Sequence, residues 1–388
     1  MQDDNSLKID PIALEHSEKL QDIIKNEIAS KGEMTFDRFM ELALYAPGLG
    51  YYTAGSQKFG SSGDFVTAPE ISSIFSKCLA NQCAEILTET QGSILEFGAG
   101  SGVMAAHILK HLEAIDCLPE QYLILDLSPE LKVRQKETIN NIVPHLLERV
   151  VWLDTLPTSF TGVIVGNEVL DAMPVSVFRK DHGEIQEQYV QSNNGALGAV
   201  WKQASDALKA QVEAIELSLE DFADGYVSEI NNNLPTWIAS LAEMLDKGAI
   251  LLIDYGYAAA EYYHVERSMG TLICHYQHQA HDDPFKLIGL QDITANVDFS
   301  AVKQSAQASG LEIAGYTTQA HFLVSTGLEE LVAEVSPEDT ENFLKMTQRV
   351  KVLMMPSEMG ERFKVIGLTK NINPKLQGFL MRDFSDRL

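Results

Sequence analysis

The sequence lacks the features that mark membrane-spanning, secreted and disulfide-linked proteins. No apolar run reaches the length of about 18 residues that a membrane-spanning helix requires. The N-terminus, MQDDNSLKIDP, is acidic and shows neither the pattern of a signal peptide nor the arginine-rich pattern of an organellar transit peptide. The four cysteines form no CxxC pair, which is typical of reduced thiols. We therefore expect a cytoplasmic protein without a membrane span.

Basic residues are also scarce. The chain has 29 lysines and arginines against 55 aspartates and glutamates, a formal net charge of −26. Binding to a phosphate backbone needs clustered basic residues, so this balance argues against nucleic acid as a partner. The excess of acid suits a cationic partner, but it equally suits simple solubility.

From residue 93 onward, short apolar runs alternate with helical ones. Strands that alternate with helices indicate crossover units and a parallel sheet that is covered on both faces. The pattern predicts an α/β fold with a doubly wound, seven-stranded, mostly parallel sheet. The seven predicted strands are SILEFGAG, YLILDLS, RVVWLD, GVIVGNE, AILLIDYG, LEIAGYTT and FKVIGLTK.

Helices are predicted before this sheet. Apolar periodicity and stop signals indicate helices near Ser17–Ala29 and Thr35–Tyr45, and an amphipathic helix over 70–88. Between the second and third of these helices, the stretch 46–69 is rich in glycine and serine. A loop of that length in a compact protein is more often functional than idle.

The chain is predicted to divide into an N-terminal part and a core with two insertions. Residues 1–69 would supply helices and the glycine-rich loop, and 70–388 would form the core. The insertions, at about 175–232 and 257–297, interrupt the alternation of strands and helices. In the first of them, VSVFRK and IQEQYVQ alternate apolar and polar residues and could pair as a hairpin.

A glycine-rich turn follows the first strand of the sheet, in ILEFGAGSGVMA. Gly98, Gly100 and Gly102 alternate with other residues, and Glu96 precedes them. A dinucleotide fingerprint would need its third glycine one residue later, and no Gly-Lys-Ser/Thr follows as in a Walker A loop. The second strand ends in Asp126, 28 residues after Gly98. An acid at that place could hold two ribose hydroxyls, so the pattern favours a nucleoside-containing cofactor other than a dinucleotide.

This combination resembles the class I S-adenosylmethionine (SAM) methyltransferases, whose sheet is Rossmann-like. Four further blocks, GDFVTAPEISSIF, NEVLDAMPV, LLIDYGY and GLQDITANVDFSA, are similar to the MidA-type methyltransferases in the same order over roughly residues 15–370. That family includes the mitochondrial assembly factor of respiratory complex I that methylates a protein arginine. The resemblance implies SAM as cofactor, a protein substrate with arginine as the favoured acceptor, and a respiratory-complex subunit as a candidate partner. It also implies that the insertions form a smaller region covering the substrate.

The resemblance implies a role in cofactor binding for eight residues. The three glycines would let the backbone approach the methionine part, Glu96 would attract the ammonium, and Asp126 would hold the ribose. Asp154, at the end of VVWLD, would accept from the adenine amine, although acids also end strands at surfaces. Asp64 and Thr67 would cover the cofactor, although Asp64 after a glycine is also an ordinary turn residue.

The acceptor is expected beside GNEVLDAMP, after the fourth strand. A guanidinium is a permanently charged five-donor fork, and carboxylates could hold it and offset its charge. We assign this role to Glu168 and Asp171, with Asn167 beside them; the alternative is that Asp171 and Asn167 only satisfy backbone groups of the loop. Asp254 and Tyr255 are weaker candidates for lining the acceptor channel.

No metal is expected. His275, His278, His281 and Asp282 in CHYQHQAHDD follow no common zinc spacing, and methyl transfer needs no metal. The block lies in the second insertion, and QDITANVDF after it is expected to continue the cover, with Asp298 beginning a helix.

Several alternatives stay open. The acceptor could be another protein side chain or a small molecule, or the protein could be a non-catalytic assembly factor that still binds SAM. A dehydrogenase is disfavoured by the displaced third glycine. The sequence does not identify the acceptor, the degree or symmetry of methylation, the oligomeric state, or whether 257–297 moves on substrate binding.

Overall fold

The computed structural model describes residues 10–54, 67–277, 279–336 and 338–388. The helices are, in chain order, α1 (Pro11–Lys31), α2 (Phe36–Tyr45), α3 (Ala68–Ile71), α4 (Ser73–Thr90), α5 (Val103–Ala114), α6 (Pro129–Ile142), α7 (Asp206–Ser218), α8 (Leu234–Met244), α9 (Ala259–Tyr262), α10 (Phe299–Ala308), α11 (Gln319–Ser325), α12 (Leu328–Ala333) and α13 (Thr340–Met354). The strands are β1 (Met34–Thr35), β2 (Ser93–Phe97), β3 (Tyr122–Leu125), β4 (Val150–Leu153), β5 (Phe160–Asn167), β6 (Ser176–Asp181), β7 (Glu184–Asn193), β8 (Ala196–Gln203), β9 (Val227–Ile230), β10 (Leu245–Tyr257), β11 (Ile273–Tyr276), β12 (Gln279–His281), β13 (Asp292–Thr294), β14 (Val297–Asp298), β15 (Glu312–Thr318) and β16 (Phe363–Lys370).

One large, mostly parallel sheet dominates the fold. Its strand order is β15-β16-β10-β5-β2-β3-β4, and β14 pairs with β10 beside this path. Five neighbouring strands, β4, β3, β2, β5 and β10, run parallel to one another. Strand β16 is antiparallel to both of its neighbours, β10 and β15. All seven predicted apolar runs form strands of this sheet, so a mixed α/β fold with a mostly parallel sheet is confirmed. Among the described residues the sheet has eight strands, because Val297–Asp298 adds a two-residue parallel strand that is too short to leave an apolar signature.

Both faces of the large sheet are buried. Val163, Val165 and Leu251 belong to an apolar cluster with α4 and α5. Ile164 and Ile250 alternate with them along the same strands and are also fully buried, outside that cluster. Because successive side chains of a strand point to opposite faces, this alternation shows that the sheet is covered on both sides.

The amphipathic helix predicted over 70–88 is in fact two helices, α3 and α4. Ser72 separates them in an extended conformation, with φ −154° and ψ 134°. Its hydroxyl accepts the Ile74 N–H at 3.3 Å and so begins α4 as a cap. Side-chain periodicity continues across the break, which is why the sequence alone did not reveal it. The other two predicted helices are confirmed as α1 and α2.

The contacts divide the chain into two compact units. The large sheet belongs to the unit formed from the described residues of 57–171, 233–262 and 296–388. The second unit, from the described residues of 1–56, 172–232 and 263–295, contains the sheet β1-β7-β6-β9, with β8 paired to β7, and the smaller sheet β12-β11-β13. The predicted hairpin of the first insertion is confirmed, because β6 and β7 pair antiparallel. Phe36, Phe39 and Met40 anchor the apolar core of this unit.

Within the described part of the chain, no helix has both the length and the apolar character needed to cross a membrane. The proposed domain boundaries at residue 69 and the covering role of the insertions stay predictions.

The parallel pairing of β2 with β5 depends on a glycine. Gly162 has φ +133°, and a Cβ atom there would lie 1.9 Å from the Ser93 carbonyl oxygen. We therefore expect Gly162→Ala to lower the unfolding free energy by more than about 3 kcal/mol, or to prevent folding. Gly198→Ala in β8 is the control, since a Cβ there meets nothing within 4 Å. Thermal melts should separate the two variants, and equal melting temperatures would contradict the steric argument.

Candidate active site

The glycine turn joins β2 to α5 in a conformation that suits glycine. Gly98, Gly100 and Gly102 have φ values of 61°, 53° and 82°. A Cβ at Gly102 would approach the Gln135 Cα to 2.8 Å, so α5 and α6 pack closely there. Among the described residues, a Cβ at Gly98 would meet only the Val169 Cγ2, at 3.6 Å. Within this part of the chain the turn is thus tightly packed behind Gly102 and open at Gly98. Helix α5 begins directly after the turn, and a helix N-terminus in that place can bind a ligand.

Asp126 lies at the carboxyl end of β3 and is held in place by two donors. The Ser128 N–H donates to its Oδ1 at 2.9 Å, and the Gln135 Nε2 donates to its Oδ2 at 2.8 Å. Its side chain is buried except for a small accessible fraction. A carboxylate oxygen can accept more than one hydrogen bond, so a ligand hydroxyl is a chemically suitable donor to Asp126.

Gln135 is a residue that sequence reasoning missed. Besides Asp126, its Nε2 donates to the Gly100 carbonyl at 3.2 Å, and its Oε1 accepts from the Trp152 Nε1 at 2.9 Å. It therefore ties the glycine turn to the acid on the neighbouring strand. A signal was present in the sequence, because Gln135 lies between the buried residues Leu131 and Ile139 at helical spacing, where an apolar residue is expected.

Glu96 is buried inside the sheet. The Tyr122 hydroxyl donates to its Oε2 at 2.7 Å. Burial raises the pKa of Glu96 to about 7, the Tyr122 hydrogen bond opposes this, and the nearby Asp126 charge adds to it. A cationic group at the turn would favour the charged form of this carboxylate. The predicted contact of Glu96 with the ammonium stays a prediction.

The other proposed cofactor residues lie in three different settings. The Asp154 side chain is 92% exposed and pairs with the Lys132 Nζ at 2.6 Å, a surface ion pair worth roughly 0–1 kcal/mol. Thr67 immediately precedes α3, and its side chain makes no capping hydrogen bond. Asp64 lies outside the described residues. Their roles stay predictions.

The loop after β5 begins with an unusual backbone conformation. Glu168 has φ +55°, and its N–H donates to the Ile253 carbonyl at 2.9 Å. The Asn167 Nδ2 donates to the Glu168 Oε1 at 3.1 Å. Asn167 is buried, and its Oδ1 accepts no hydrogen bond from any described residue. A buried acceptor in that state suits a ligand N–H.

Asp254, proposed as a wall of the acceptor channel, instead faces the backbone of this loop. It is fully buried in β10, and its Oδ2 accepts from the N–H groups of Val169, Leu170 and Asp171 at 3.1, 2.9 and 3.3 Å. Its Oδ1 accepts its neighbour's N–H, that of Tyr255, at 2.9 Å. Hydrogen bonds to four backbone donors explain why the side chain turns inward.

Three carboxyl groups are thus placed close together. Burial, and then the Asp171 charge, raise the pKa of Glu168 to about 8, while the Asn167 amide and the Ala68 N–H act in the opposite direction. Burial and the charges of Asp171 and Glu168 raise the pKa of Asp254 well above its ordinary value. Neither Glu168 nor Asp254 forms an ion pair with a basic side chain of the described residues. A cation would relieve this repulsion, so the cluster suits a positively charged ligand.

The glycine turn, the loop of residues 168–171 (the acidic loop) and α3 meet at one place. The Ala68 N–H lies against the Glu168 carboxylate, and the Glu70 carboxylate accepts the hydroxyl of Ser101 in the turn. Val169 of the acidic loop lies beside Gly98. The glycine turn and Asp126, which suit a nucleoside, are therefore close to the carboxylates of the acidic loop, which suit a cation. Transfer of a group between two ligands requires two such neighbouring sites.

Two histidines of the second insertion lie in its small sheet. His275 is in β11 and His281 in β12, and His278 lies outside the described residues. Among the residues that the structure describes, no group of three or more His, Cys, Asp or Glu side chains is arranged to hold a metal ion.

Comparison with known proteins bears on this site. A family model of S-adenosyl-L-methionine-dependent methyltransferases, Methyltransf_28, matches residues 78–317. A Burkholderia thailandensis protein whose crystal structure contains S-adenosyl-homocysteine is 43% identical, with a TM-score of 0.94 over 98% of this chain and 99% of that one. Protein arginine methyltransferase NDUFAF7, mitochondrial, of Danio rerio is 28% identical over 88% of this chain and 84% of its own length. The Drosophila melanogaster NDUFAF7 homolog, mitochondrial, is 27% identical over 89% and 83%.

The predicted cytoplasmic location is wrong. It depended on the absence of a visible targeting pattern, and the curated relatives from Drosophila melanogaster, Danio rerio and Homo sapiens are all named as mitochondrial proteins. Targeting patterns are compositional and weak, so their absence could not carry the assignment.

The family match confirms the resemblance that the glycine turn and the four sequence blocks suggested, and with it SAM as the cofactor. The open turn at Gly98 and the buried acid Asp126 fit that ligand. The chain belongs to the Methyltransf_28 family of S-adenosyl-L-methionine-dependent methyltransferases.

Proposed function

We propose that this methyltransferase transfers methyl groups to the guanidinium of a protein arginine. The observation that carries the proposal is the position of half-buried Glu168 beside buried Asn167, close to the glycine turn. The Asn167 Oδ1 accepts no hydrogen bond from the described residues. The relatives named as protein arginine methyltransferases support the choice of acceptor.

SAM supplies a methyl group on a sulfonium, and the protein must hold the acceptor nitrogen in line with it. In our proposal Glu168 and Asp171 hold the guanidinium and offset its charge, and the Asn167 Oδ1 accepts one of its N–H groups. Binding of the cation favours the ionised form of Glu168, which then releases its proton. Two carboxylates and an amide oxygen arranged around a planar fork restrict its rotation, which contributes to the rate by orientation.

For the cofactor we propose the contacts implied by the resemblance. Gly98, Gly100 and Gly102 would border the methionine part, and Asp126 the ribose. Three more acidic residues and one threonine complete the set, namely Glu96, Asp154, Asp64 and Thr67. Seven strands of the large sheet would form the doubly wound class I arrangement.

The protein substrate is proposed to be a subunit of a respiratory complex, which rests on the resemblance to the MidA-type family. Incubation with isotope-labelled SAM and cell extract, followed by hydrolysis, should place the label in methylarginine. Label in another amino acid or in a small molecule would contradict the arginine proposal.

The first prediction from this proposal concerns cofactor affinity. Asp126→Asn should weaken binding of S-adenosyl-homocysteine by about ten- to a hundredfold, because a charge-assisted hydrogen bond is worth roughly 1.5–3 kcal/mol. Calorimetry measures this directly, and Glu341→Gln, at an exposed ion pair of α13, is the comparison for loss of one acid. An unchanged dissociation constant for Asp126→Asn would show that this carboxylate does not reach the cofactor.

The second prediction separates binding from chemistry. Glu168→Gln keeps the shape of the side chain but removes the charge that would offset the guanidinium. Methyl transfer should fall by roughly a hundredfold, as for loss of one preorganised electrostatic contact, while S-adenosyl-homocysteine affinity changes little. A variant that transfers methyl groups at the wild-type rate would leave Glu168 with a structural role only.

The third prediction is a pH dependence of stability. The pKa of Glu168 rises from 4.5 to about 8 on folding, so the unfolded chain loses this proton at a lower pH than the folded protein. The resulting penalty is absent below about pH 4.5, increases with pH and is complete above about pH 8. Glu168→Gln removes it, so the variant should melt above the wild type by more near pH 8.5 than near about pH 5.5.

Glu341→Gln, on the exposed surface of α13, is the control for loss of one negative charge. A melting-temperature difference for Glu168→Gln that does not grow between these two pH values would show that Glu168 is ionised in the folded protein throughout the range.

A further inference from the structure

Asp254 accepts hydrogen bonds from three consecutive backbone N–H groups of the acidic loop. The donors are those of Val169, Leu170 and Asp171, at 2.9 to 3.3 Å from one oxygen atom, Oδ2. The Asp254 side chain is fully buried, so a ligand that enters the site from solvent cannot contact it. Its effect on the reaction must therefore pass through the loop.

The loop needs such support, because its first residue is in a conformation that a glutamate rarely adopts. Glu168 has φ +55°, in the left-handed region, which is unfavourable for a residue with a side chain. The Glu168 N–H is held by the carbonyl of Ile253, the residue before Asp254. Two adjacent residues of β10 thus hold four successive N–H groups, those of residues 168–171.

We propose that Asp254 is a positioning residue for methyl transfer. Its carboxylate fixes the backbone of residues 168–171 so that the Glu168 and Asp171 side chains are directed at the acceptor nitrogen. The inference rests on the proposed function, because that function requires the Glu168 and Asp171 side chains to be oriented toward the acceptor.

The two acceptor oxygens of the Asp254 side chain are essential to this role. Oδ1 accepts the Tyr255 N–H at 2.9 Å while Oδ2 accepts the three loop donors. An asparagine has one oxygen and one NH2 group, so it cannot accept on both sides, and its NH2 would face an N–H donor. Asp254→Asn therefore preserves volume while releasing either Tyr255 or the loop.

The test compares wild type and Asp254→Asn by amide hydrogen exchange, cofactor binding and methyl transfer. Amides of residues 168–171 should exchange at least about tenfold faster in the variant, whereas those of the glycine turn should not change. S-adenosyl-homocysteine affinity and the KM for SAM should stay within about threefold. The maximal rate of transfer of labelled methyl groups to protein in extract should fall by roughly a hundredfold.

Asp298→Asn is the matched control. Asp298 is a partly buried acid that ends β14 of this sheet, and it accepts the N–H groups of Ser300 and Ala301 at the start of α10. Asparagine is as good a helix cap as aspartate, so this variant should keep both the exchange rates of residues 168–171 and the transfer rate.

Wild-type transfer by Asp254→Asn, or unchanged exchange of the loop amides, would overturn the inference. If Asp254→Asn does not bind S-adenosyl-homocysteine, Asp254→Ser, which keeps one small acceptor, is measured in the same way and decided by the same outcomes. Label that the wild type places outside arginine would overturn the arginine proposal alone. The comparison with Asp254→Asn would then decide the positioning role on the labelled acceptor.

Discussion

The active edge of the large sheet depends on buried carboxylates that accept backbone N–H groups. Asp126 follows β3 and Asp298 ends β14, and each accepts at least one backbone N–H group at the start of the next helix. Asp254, in β10, accepts N–H groups of the loop that follows the neighbouring strand β5. An ionised carboxylate away from water is costly unless donors compensate it. Here the donors are peptide N–H groups at loop and helix starts, which would otherwise lack partners themselves. The acids and the loops therefore stabilise each other.

Glu168 stands apart from this arrangement. It has the amide of Asn167 and the Ala68 N–H as neighbours, and two other carboxyl groups nearby, so its charge is poorly compensated. A residue in that state destabilises the folded protein at neutral pH, which is typical of functional sites that conflict with local stability. The same poor compensation gives a cation a reason to bind there. In our proposal, stability and function thus make opposite demands on this side chain.

The sequence predicted the strands well because each is a buried apolar run, and buried parallel strands have no polar alternation to obscure them. It also placed the glycine turn and Asp126, whose spacing reflects one crossover unit. It could not distinguish the roles of Glu168 and Asp254, because both are acids after strands. Their difference lies in which atoms they face, and that depends on pairing between β5 and β10 across some 85 residues of chain. The break at Ser72 was hidden for a related reason, since burial periodicity persists across it.

The site also explains why residues so distant in sequence act together. Ala68, Gly98, Glu168 and Asp254 come from four separate segments: Ala68 begins α3, and parallel strands bring the other three to one edge of the sheet. Two of the contacts join a carboxylate to a backbone N–H group: that of Glu168 to the Ala68 N–H, and that of Asp254 to the loop amides. The Val169 side chain lies beside Gly98. These contacts depend on strand register as well as on the rotamers of Glu168 and Asp254. The register of the sheet therefore helps to set the distance between the glycine turn and the loop of residues 168–171.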